Sequence, residues 1–281
     1  MKPGVHFSTA LVCSSVVLAA ACSAPQYSSK ASGITPSETS FARDQLRHAR
    51  VRNAREDAQE RIEKMFADKD ISYPAAEMYI RVFKMDKSLE VWVRPNDKKR
   101  FELLKTYDVC AMSGVVGPKN RRGDKQVPEG FYSIDAFNPV STYHLSLGVD
   151  YPNKRDLANK HVSNLGGDIF IHGGCRSDGC VAITDEAMNE LYWLAVEARG
   201  LGQQRIPVHI FPARFDDAIQ MRILHRSHGK KAEMTAFWQT LKPGYEYFQK
   251  KRVLPNVIVD GGNYRVADAP AIADGERAER Q

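Results

Sequence analysis

Apolar and polar residues alternate with a period of two from about residue 78 onward, and this alternation predicts a β-rich domain. Segments 79–84 and 89–93 flank the polar turn Asp86-Lys87-Ser88 and predict a hairpin. Similar runs predict further strands over 101–109, 131–135, 143–147, 168–172 and 207–211. One substantial helix is predicted over 184–199, because Thr184 is a good N-cap and acidic residues follow it. The sequence therefore predicts a mostly β (α+β) domain with one packed helix.

Helical patterns flank this region on both sides. In the highly charged segment 41–70, the apolar residues fall on one helical face: Leu46, Ala54, Ala58, Ile62, Met65 and Phe66. This stripe predicts a solvated helix docked on the domain, and a partner-binding helix is the alternative. Segment 216–266 predicts helices that end in an extended stretch at 257–259. Its aromatic residues either cover the β domain or form a ligand surface: Phe237, Trp238, Tyr245, Tyr247 and Phe248.

The N-terminal segment has the pattern of a secretory signal peptide. Lys2 precedes the uncharged stretch 7–21, which is short for a membrane span and ends in three alanines before Cys22. The run 18–22 resembles a bacterial lipoprotein processing box, although Leu18 lies one place early, so lipidation of Cys22 is left open. The pattern predicts an exported protein of the periplasm or cell envelope.

Changes in composition divide the chain into six segments. They are a signal peptide (1–21), a flexible tether (22–40), a charged helical segment (41–77), the β-rich domain (78–213), a helical extension (214–266) and a disordered tail (267–281).

Charge and cysteine content narrow the possible functions. The formal net charge is +6, but the chain has no nucleic-acid recognition motif, and export argues against a nucleic-acid partner. Removal of the signal leaves Cys110, Cys175 and Cys180 besides Cys22. At most one disulfide can form among the three, and the remaining thiol favours a reactive role.

Segment 171–181 (Ile-His-Gly-Gly-Cys-Arg-Ser-Asp-Gly-Cys-Val) carries the candidate chemistry. A predicted strand leads into a Gly-rich loop that contains thiols, and a helix follows. This arrangement presents a nucleophile at the end of a rigid element. His172 is expected to take the thiol proton from Cys180 and to hold the thiolate as an ion pair. The segment predicts a cysteine acyl-transfer site.

Other interpretations of these residues stay open. Cys180 is alternatively an inert buried thiol and His172 a structural histidine. Cys175 is interpreted as a spectator, a redox partner of Cys180 or a second site thiol, and Cys110 as a core residue. A zinc site is the rival chemistry, with these ligands: His172, Cys175, Cys180 and either His209 or His161.

Several ordered motifs resemble the L,D-transpeptidase (YkuD-type) catalytic domain. The site motif is His172-Gly173 followed by Ser177-x-Gly179-Cys180-Val181. Supporting motifs over about 78–213 are Gly123-Asp124, Pro128-Glu129-Gly130-Phe131-Tyr132, Tyr151-Pro152-Asn153 with Asp156, and Ile206-Pro207-Val208-His209-Ile210. The chain departs from the family pattern at Asp178 (commonly His), at Ala182 (commonly Arg or Asn) and in the extra Cys175. These departures resemble the YafK-type branch.

The resemblance implies a YkuD-like β-sandwich that acts on peptidoglycan, in cell-wall organisation and cell shape, without a metal or organic cofactor. Cys180 would be the nucleophile and His172 the proton acceptor and donor. The thiol would attack the L-centre carbonyl of meso-diaminopimelate in a stem peptide and form a thioester. An amine would then complete transpeptidation, whereas water would give an amidase or the release of a wall-attached protein. A non-catalytic peptidoglycan-binding module is a further alternative.

Placement suggests supporting roles for the other residues of the loop. The amides near Gly179 and Cys180 are expected to stabilise the oxyanion, and a carbonyl near Gly173 or Gly174 to orient the imidazole. Arg176 and Ser177 are assigned to substrate binding, with Arg176 facing a carboxylate. His144 is also assigned to substrate, the alternative being a half-buried strand histidine.

Overall fold

The computed structural model of the chain describes Met1 and residues 39–229 and 231–267. Residues 39–267 belong to one compact unit. The predicted signal peptide, almost all of the tether and nearly all of the C-terminal tail lie outside the described residues. Within the described part, no helix is both long enough and apolar enough to cross a membrane.

The described residues form six helices and eleven strands. The helices are α1 (Ser40–Gln45), α2 (Ala49–Ala67), α3 (Lys154–Ala158), α4 (Asp185–Gly200), α5 (Ala218–His228) and α6 (Ala232–Lys251). The first six strands are β1 (Glu77–Phe83), β2 (Ser88–Arg94), β3 (Glu102–Asp108), β4 (Ala111–Met112), β5 (Gly130–Asn138) and β6 (Ser146–Val149). The remaining strands are β7 (Ile169–His172), β8 (Val181–Ala182), β9 (Ile206–Phe211), β10 (Val257–Asp260) and β11 (Asn263–Val266).

Nine of these strands form one continuous, curled sheet, and the predicted α+β class is confirmed. The strand order is β3-β2-β1-β9-β5-β6-β7-β8-β4. Most neighbours are antiparallel, while β1–β9 and β7–β8 are parallel. The predicted hairpin is present as β1 and β2, with Phe83 paired to Ser88. The parallel β7–β8 pair matters most for function, because the segment between these two strands contains the candidate nucleophile.

Helices α2 and α4 pack together over the main core. Thr184 caps α4 as predicted, since its side chain accepts a hydrogen bond from the Ala187 amide. The predicted N-terminal helix forms as the pair α1 and α2, and α2 buries one face: Val51, Ala54, Ala58, Ile62 and Phe66. Burial of this face fixes α2 against the domain, as the docked-helix interpretation predicted.

The C-terminal helices cover another part of the sheet with aromatic side chains. Phe237, Trp238, Tyr245 and Phe248 of α6 are buried, which confirms the covering role, whereas Tyr247 is only partly buried. Trp238 also donates to Oε2 of the fully buried Glu129 at 2.7 Å. Because Oε1 of Glu129 lies 3.1 Å from Nζ of the buried Lys84, α6 is connected to an internal ion pair of the β domain.

Several elements differ from the sequence prediction. Strand β6 begins at Ser146 rather than at residue 143, because His144 has a left-handed backbone with φ of 65° and Arg50 binds its carbonyl. The two-residue strands β4 and β8 and the single-turn helix α3 were not predicted, since such short elements have no detectable periodicity.

Candidate active site

A cleft of about 360 Å³ opens beside the segment between β7 and β8. Twelve residues line it: Asn138, Ser141, Thr142, Tyr143, Ser146, Asp168, Phe170, His172, Arg176, Ser177, Asp178 and Cys180. Cys180 and His172 therefore face the same space, although seven residues separate them along the chain. A cleft of this size accommodates a segment of a small peptide.

Strand pairing brings the two ends of the catalytic loop together. Ile171 pairs with Val181 and His172 pairs with Ala182, so the loop 173–180 leaves and re-enters the sheet between adjacent parallel strands. Gly179, directly before the thiol, has φ of 106°, a conformation that other residues resist. Cys180 is the free cysteine of the described chain and is partly exposed. This geometry presents the thiol on a short and well-anchored turn.

A pair of serine hydroxyls anchors the turn that carries Cys180. The Gly179 amide donates to Oγ of Ser113 at 2.7 Å, and the Ser113 amide donates to Oγ of Ser177 at 3.0 Å. Oγ of Ser177 donates to the Cys180 carbonyl at 2.7 Å. The Gly179 amide is thus occupied rather than free for an oxyanion, whereas the Ser177 hydroxyl supports the loop and Ser177 also lines the cleft. Ser113 carried no signal in the sequence, since its role depends on how β4 adds to the sheet beside β8.

His172 is held on one edge and one face of its ring. Its Nδ1 lies 2.6 Å from the Gly173 carbonyl, so Nδ1 carries the proton and Nε2 is left as the basic nitrogen. The ring of Tyr143 stacks on the imidazole, with centroids 4.9 Å apart and an interplanar angle of 26°. The carbonyl that orients the imidazole belongs to Gly173. Gly174 instead donates its amide to Oδ1 of Asp185 at 2.7 Å.

Burial favours the neutral forms of both candidate catalytic groups. It raises the pKa of the Cys180 thiol, an effect only partly offset by a backbone hydrogen bond from Phe170, while Asp178 and Asp168 raise it further. Burial lowers the pKa of His172, against the opposing effect of the Gly173 carbonyl. These directions favour a neutral thiol and a neutral imidazole over the predicted thiolate–imidazolium ion pair, and Sγ of Cys180 donates to the Asp168 carbonyl at 3.6 Å. A neutral pair of this kind works by general-base transfer of the thiol proton during attack.

The rate of alkylation of Cys180 is expected to be low near neutral pH. It should keep increasing with pH, even above the pKa of an ordinary thiol. The reason is that iodoacetamide reacts with the thiolate, and burial disfavours that form. Rates measured by mass spectrometry from pH 6 to pH 11 test this expectation, with the urea-unfolded protein as the reference. A plateau reached near pH 6 would show that an ion pair exists after all.

The other predicted substrate residues have different surroundings. Arg176 is exposed and lines the cleft, where its guanidinium is available to a ligand carboxylate. Asp178 also lines the cleft and lies 3.6 Å from Nζ of Lys125. His144 does not line the cleft: its Nε2 lies 2.5 Å from Oδ1 of Asn189. It also lies outside any strand, so neither interpretation of His144 matches its position.

A disulfide joins Cys110 to Cys175. This agrees with the prediction of at most one disulfide among the three cysteines, with one thiol left over. The prediction that Cys110 lies in the core is wrong, because Cys110 is exposed. With Cys175 bonded to Cys110, the Cys175–Cys180 switch does not form here, and Cys175 is not available as a zinc ligand. His209 is buried and within 2.6 Å of the Tyr79 hydroxyl, whereas His161 is exposed. The described residues contain no group of three side chains arranged to hold a metal ion.

Comparison with known proteins supports the assignment suggested by the site. Residues 77–210 match the model of the YkuD family, described as the L,D-transpeptidase catalytic domain. The "Putative L,D-transpeptidase YafK" of Escherichia coli K12 is 36% identical over 192 residues, which cover 68% of this chain and 74% of that protein. The chain belongs to the YkuD L,D-transpeptidase family. The YafK protein of Escherichia coli O157:H7 matches over the same length with the same identity.

The solved structures that resemble this chain are less similar in sequence than the YafK proteins. The helical cell shape determining protein Pgp2 of Campylobacter jejuni is 19% identical, with a TM-score of 0.40. The match covers 66% of this chain and 73% of that one. Bd1075 of Bdellovibrio bacteriovorus is also 19% identical, with a TM-score of 0.35 over 63% of this chain and 64% of that one. Family membership indicates an L,D-transpeptidase-type enzyme, for which peptidoglycan peptides are the general class of substrate.

Proposed function

We propose that the protein is a cysteine-dependent L,D-transpeptidase that acts on meso-diaminopimelate in peptidoglycan stem peptides through a thioester. The observation that carries this proposal is the position of the free Cys180 thiol and the buried His172 on one cleft, within a domain of the YkuD family. The intact Cys110–Cys175 bond supports the choice of Cys180, because among the described residues it leaves Cys180 as the free thiol on the cleft that His172 also lines.

The first half-reaction begins with the neutral Cys180 thiol and the neutral His172 imidazole. Nε2 of His172 takes the proton from Sγ of Cys180 while Sγ bonds to the L-centre carbonyl carbon of the donor peptide. The tetrahedral intermediate collapses, the carbon–nitrogen bond breaks, and the imidazolium returns its proton to the departing amine. A thioester on Cys180 remains. Since Ser113 occupies the Gly179 amide, the Cys180 amide is the remaining member of the predicted oxyanion donors.

The second half-reaction decides the product. A free amine of another stem peptide attacks the thioester carbon, loses its proton to Nε2, and expels the Cys180 thiol to form a new cross-link. Water in place of the amine would give a carboxylate and no cross-link. Arg176 is proposed to bind a carboxylate of the stem peptide, because its exposed guanidinium lines the cleft.

Export to the cell envelope is part of the proposal. It is supported by the signal-peptide pattern of residues 1–21 and by a substrate class found outside the cytoplasm. Acylation of Cys22 would attach the protein to a membrane surface. Labelling cells with a radioactive fatty acid and comparing the protein with its Cys22→Ala variant tests this attachment.

The deciding experiment incubates purified protein with diaminopimelate-type sacculi and analyses the muropeptides by mass spectrometry. New cross-linked muropeptides that are absent with Cys180→Ala would support the transpeptidase. Cys180-dependent release of peptides, or of a wall-attached protein, without new cross-links would replace it with a hydrolase. Binding to sacculi that persists in Cys180→Ala, with no change in the muropeptides, would indicate a non-catalytic binding module.

A further inference from the structure

One wall of the cleft is formed by the segment between β5 and β6, and Tyr143 is its central residue. The Tyr143 ring lies nearly parallel to that of His172 at 4.9 Å, and 43% of Tyr143 is exposed. The same segment lies close to the catalytic loop. A Cβ placed on Gly173 would come within 3.3 Å of the Tyr143 carbonyl oxygen, and a Cβ on Gly174 within 3.3 Å of Cδ1 of its ring. Tyr143 and the two glycines therefore fit each other closely.

Contacts from outside the catalytic loop hold Tyr143 in this place. The Tyr143 amide donates to Oγ of Ser141 at 3.1 Å. Nη1 of Arg50 donates to the Ser141 carbonyl at 2.6 Å and also to the His144 carbonyl. One guanidinium of α2 thus binds the backbone on both sides of Tyr143.

A second connection joins the same segment to α2. Nε2 of His144 donates to Oδ1 of Asn189, and Nδ2 of Asn189 donates to Oδ2 of Asp57 at 2.9 Å. Asp57 also forms a 2.7 Å ion pair with Arg61. Helix α2 therefore reaches the Tyr143 segment at Arg50 directly and at Asp57 through the side chain of Asn189 on α4.

Helix α2 is well suited to act as a fixed support. Its apolar face is buried in the main core, and Nε of Arg61 binds the buried Glu190 at 2.8 Å. The helix also lies outside residues 77–210, the segment that matches the family model. Its contacts with the cleft therefore come from outside the segment that matches the family model.

We propose that Tyr143 is a positioning residue for the imidazole of His172, and that α2 supports the active site by holding Tyr143 through Arg50. This inference rests on the proposed function for the role of His172. The ring of Tyr143 covers one face of the imidazole and restricts its rotation, while the Gly173 carbonyl fixes one edge. Together the two contacts orient Nε2 toward the cleft, because an imidazole held by one hydrogen bond alone can still rotate about that bond.

The test compares two matched pairs of variants of the purified protein. Arg50→Ala removes the contact with the Tyr143 segment, and Arg52→Ala is its control. Arg52 lies on the same helix, and among the described residues its guanidinium donates to the carbonyls of Leu46 and Arg47, away from the Tyr143 segment. Tyr143→Ala removes the stacked ring, whereas Tyr143→Phe keeps it. Thermal unfolding establishes that each variant is folded before any other measurement.

The main readout is the pKa of His172. It is measured by NMR titration in a Cys180→Ala background, which removes the thiol from the cleft. Burial holds this pKa down, so a displaced or absent Tyr143 ring should let it rise toward that of an exposed histidine. We expect a rise of about half a unit or more in Arg50→Ala and Tyr143→Ala, with no change in Arg52→Ala and Tyr143→Phe. The other charged groups on the cleft are Asp168, Arg176 and Asp178, with Asp185 behind Gly174, and all four are unchanged in these variants.

The kinetic readout uses the same variants with Cys180 intact. We expect kcat to fall about tenfold in Arg50→Ala and Tyr143→Ala, with a smaller change in KM, because misplacement of the base affects the chemical step. A folded Arg50→Ala protein with a wild-type His172 pKa and wild-type kcat would overturn the role of α2. An unchanged pKa in Tyr143→Ala would overturn the role of Tyr143. The NMR result does not depend on the substrate, so it separates failure of this inference from failure of the proposed function.

Discussion

His172→Gln is expected to lower the rate of thioester formation by about 10²–10⁴-fold, which is the usual contribution of a general base. The expected loss is large because burial keeps the Cys180 thiol protonated, so attack at neutral pH requires a base to remove the proton. The deficit should shrink as the pH rises, since hydroxide then generates the thiolate without help. Formation of the acyl-enzyme can be followed by mass spectrometry of the intact protein mixed with a stem peptide across this pH range.

His161→Gln is the matched control for this measurement, because His161 is exposed and does not line the cleft. It should react at the wild-type rate. A His172→Gln protein that acylates within about threefold of wild type at neutral pH would exclude His172 as the base. A deficit that stayed constant at high pH would instead indicate that His172 mainly positions the loop.

Glu129→Gln is expected to reduce the free energy of unfolding by about 3–5 kcal/mol, the usual cost of breaking a buried ion pair. Glu129 is completely buried, accepts from the Gly117 amide at 2.5 Å, and lies 3.1 Å from Nζ of Lys84. Burial already lowers the pKa of Lys84, and the charge of Glu129 opposes this effect. Without the charge of Glu129, the Lys84 ammonium group must either stay buried without a counter-charge or lose its proton. Urea unfolding followed by circular dichroism measures the loss.

The control for the buried pair is Glu102→Gln at the surface. Glu102 pairs with Lys98 four residues earlier at 2.7 Å, and both side chains are partly exposed, so no resolvable change in the urea-unfolding midpoint is expected. The double variant Lys84→Met/Glu129→Gln should recover part of the loss, since it removes the unpaired ammonium group. If Glu129→Gln changed stability no more than Glu102→Gln does, the buried pair would have no structural importance.

Periodicity was sufficient to predict the elements that carry the fold. Alternation located β1, β2, β3, β5, β7 and β9, and the cap at Thr184 located α4, because each element is long enough to show its pattern. It misplaced β6, where the left-handed backbone at His144 shortens the strand. It also missed β4 and β8, whose two-residue pairings depend on contacts with distant segments.

The candidate site was predictable in its residues but not in its electrostatics. One loop contains both His172 and Cys180, so the sequence brings them near each other. Burial, however, shifts both pKa values toward the neutral forms, and burial is a property of the folded chain. The same limit applies to hydrogen bonds between distant segments. Gly179 was expected to face the oxyanion, and only the fold shows that Ser113, 66 residues away, occupies its amide. Disulfide partners are likewise a matter of tertiary distance.

The bond between Cys110 and Cys175 also affects how Cys180 responds to oxidative damage. The first oxidation product of a thiol is a sulfenic acid, which a neighbouring thiol can convert to a reducible disulfide before it is lost irreversibly. In the described part of the chain, both other cysteines are already bonded to each other, so Cys180 has no resolving partner there. Rescue of an oxidised Cys180 would therefore depend on a thiol from outside the described part of the chain.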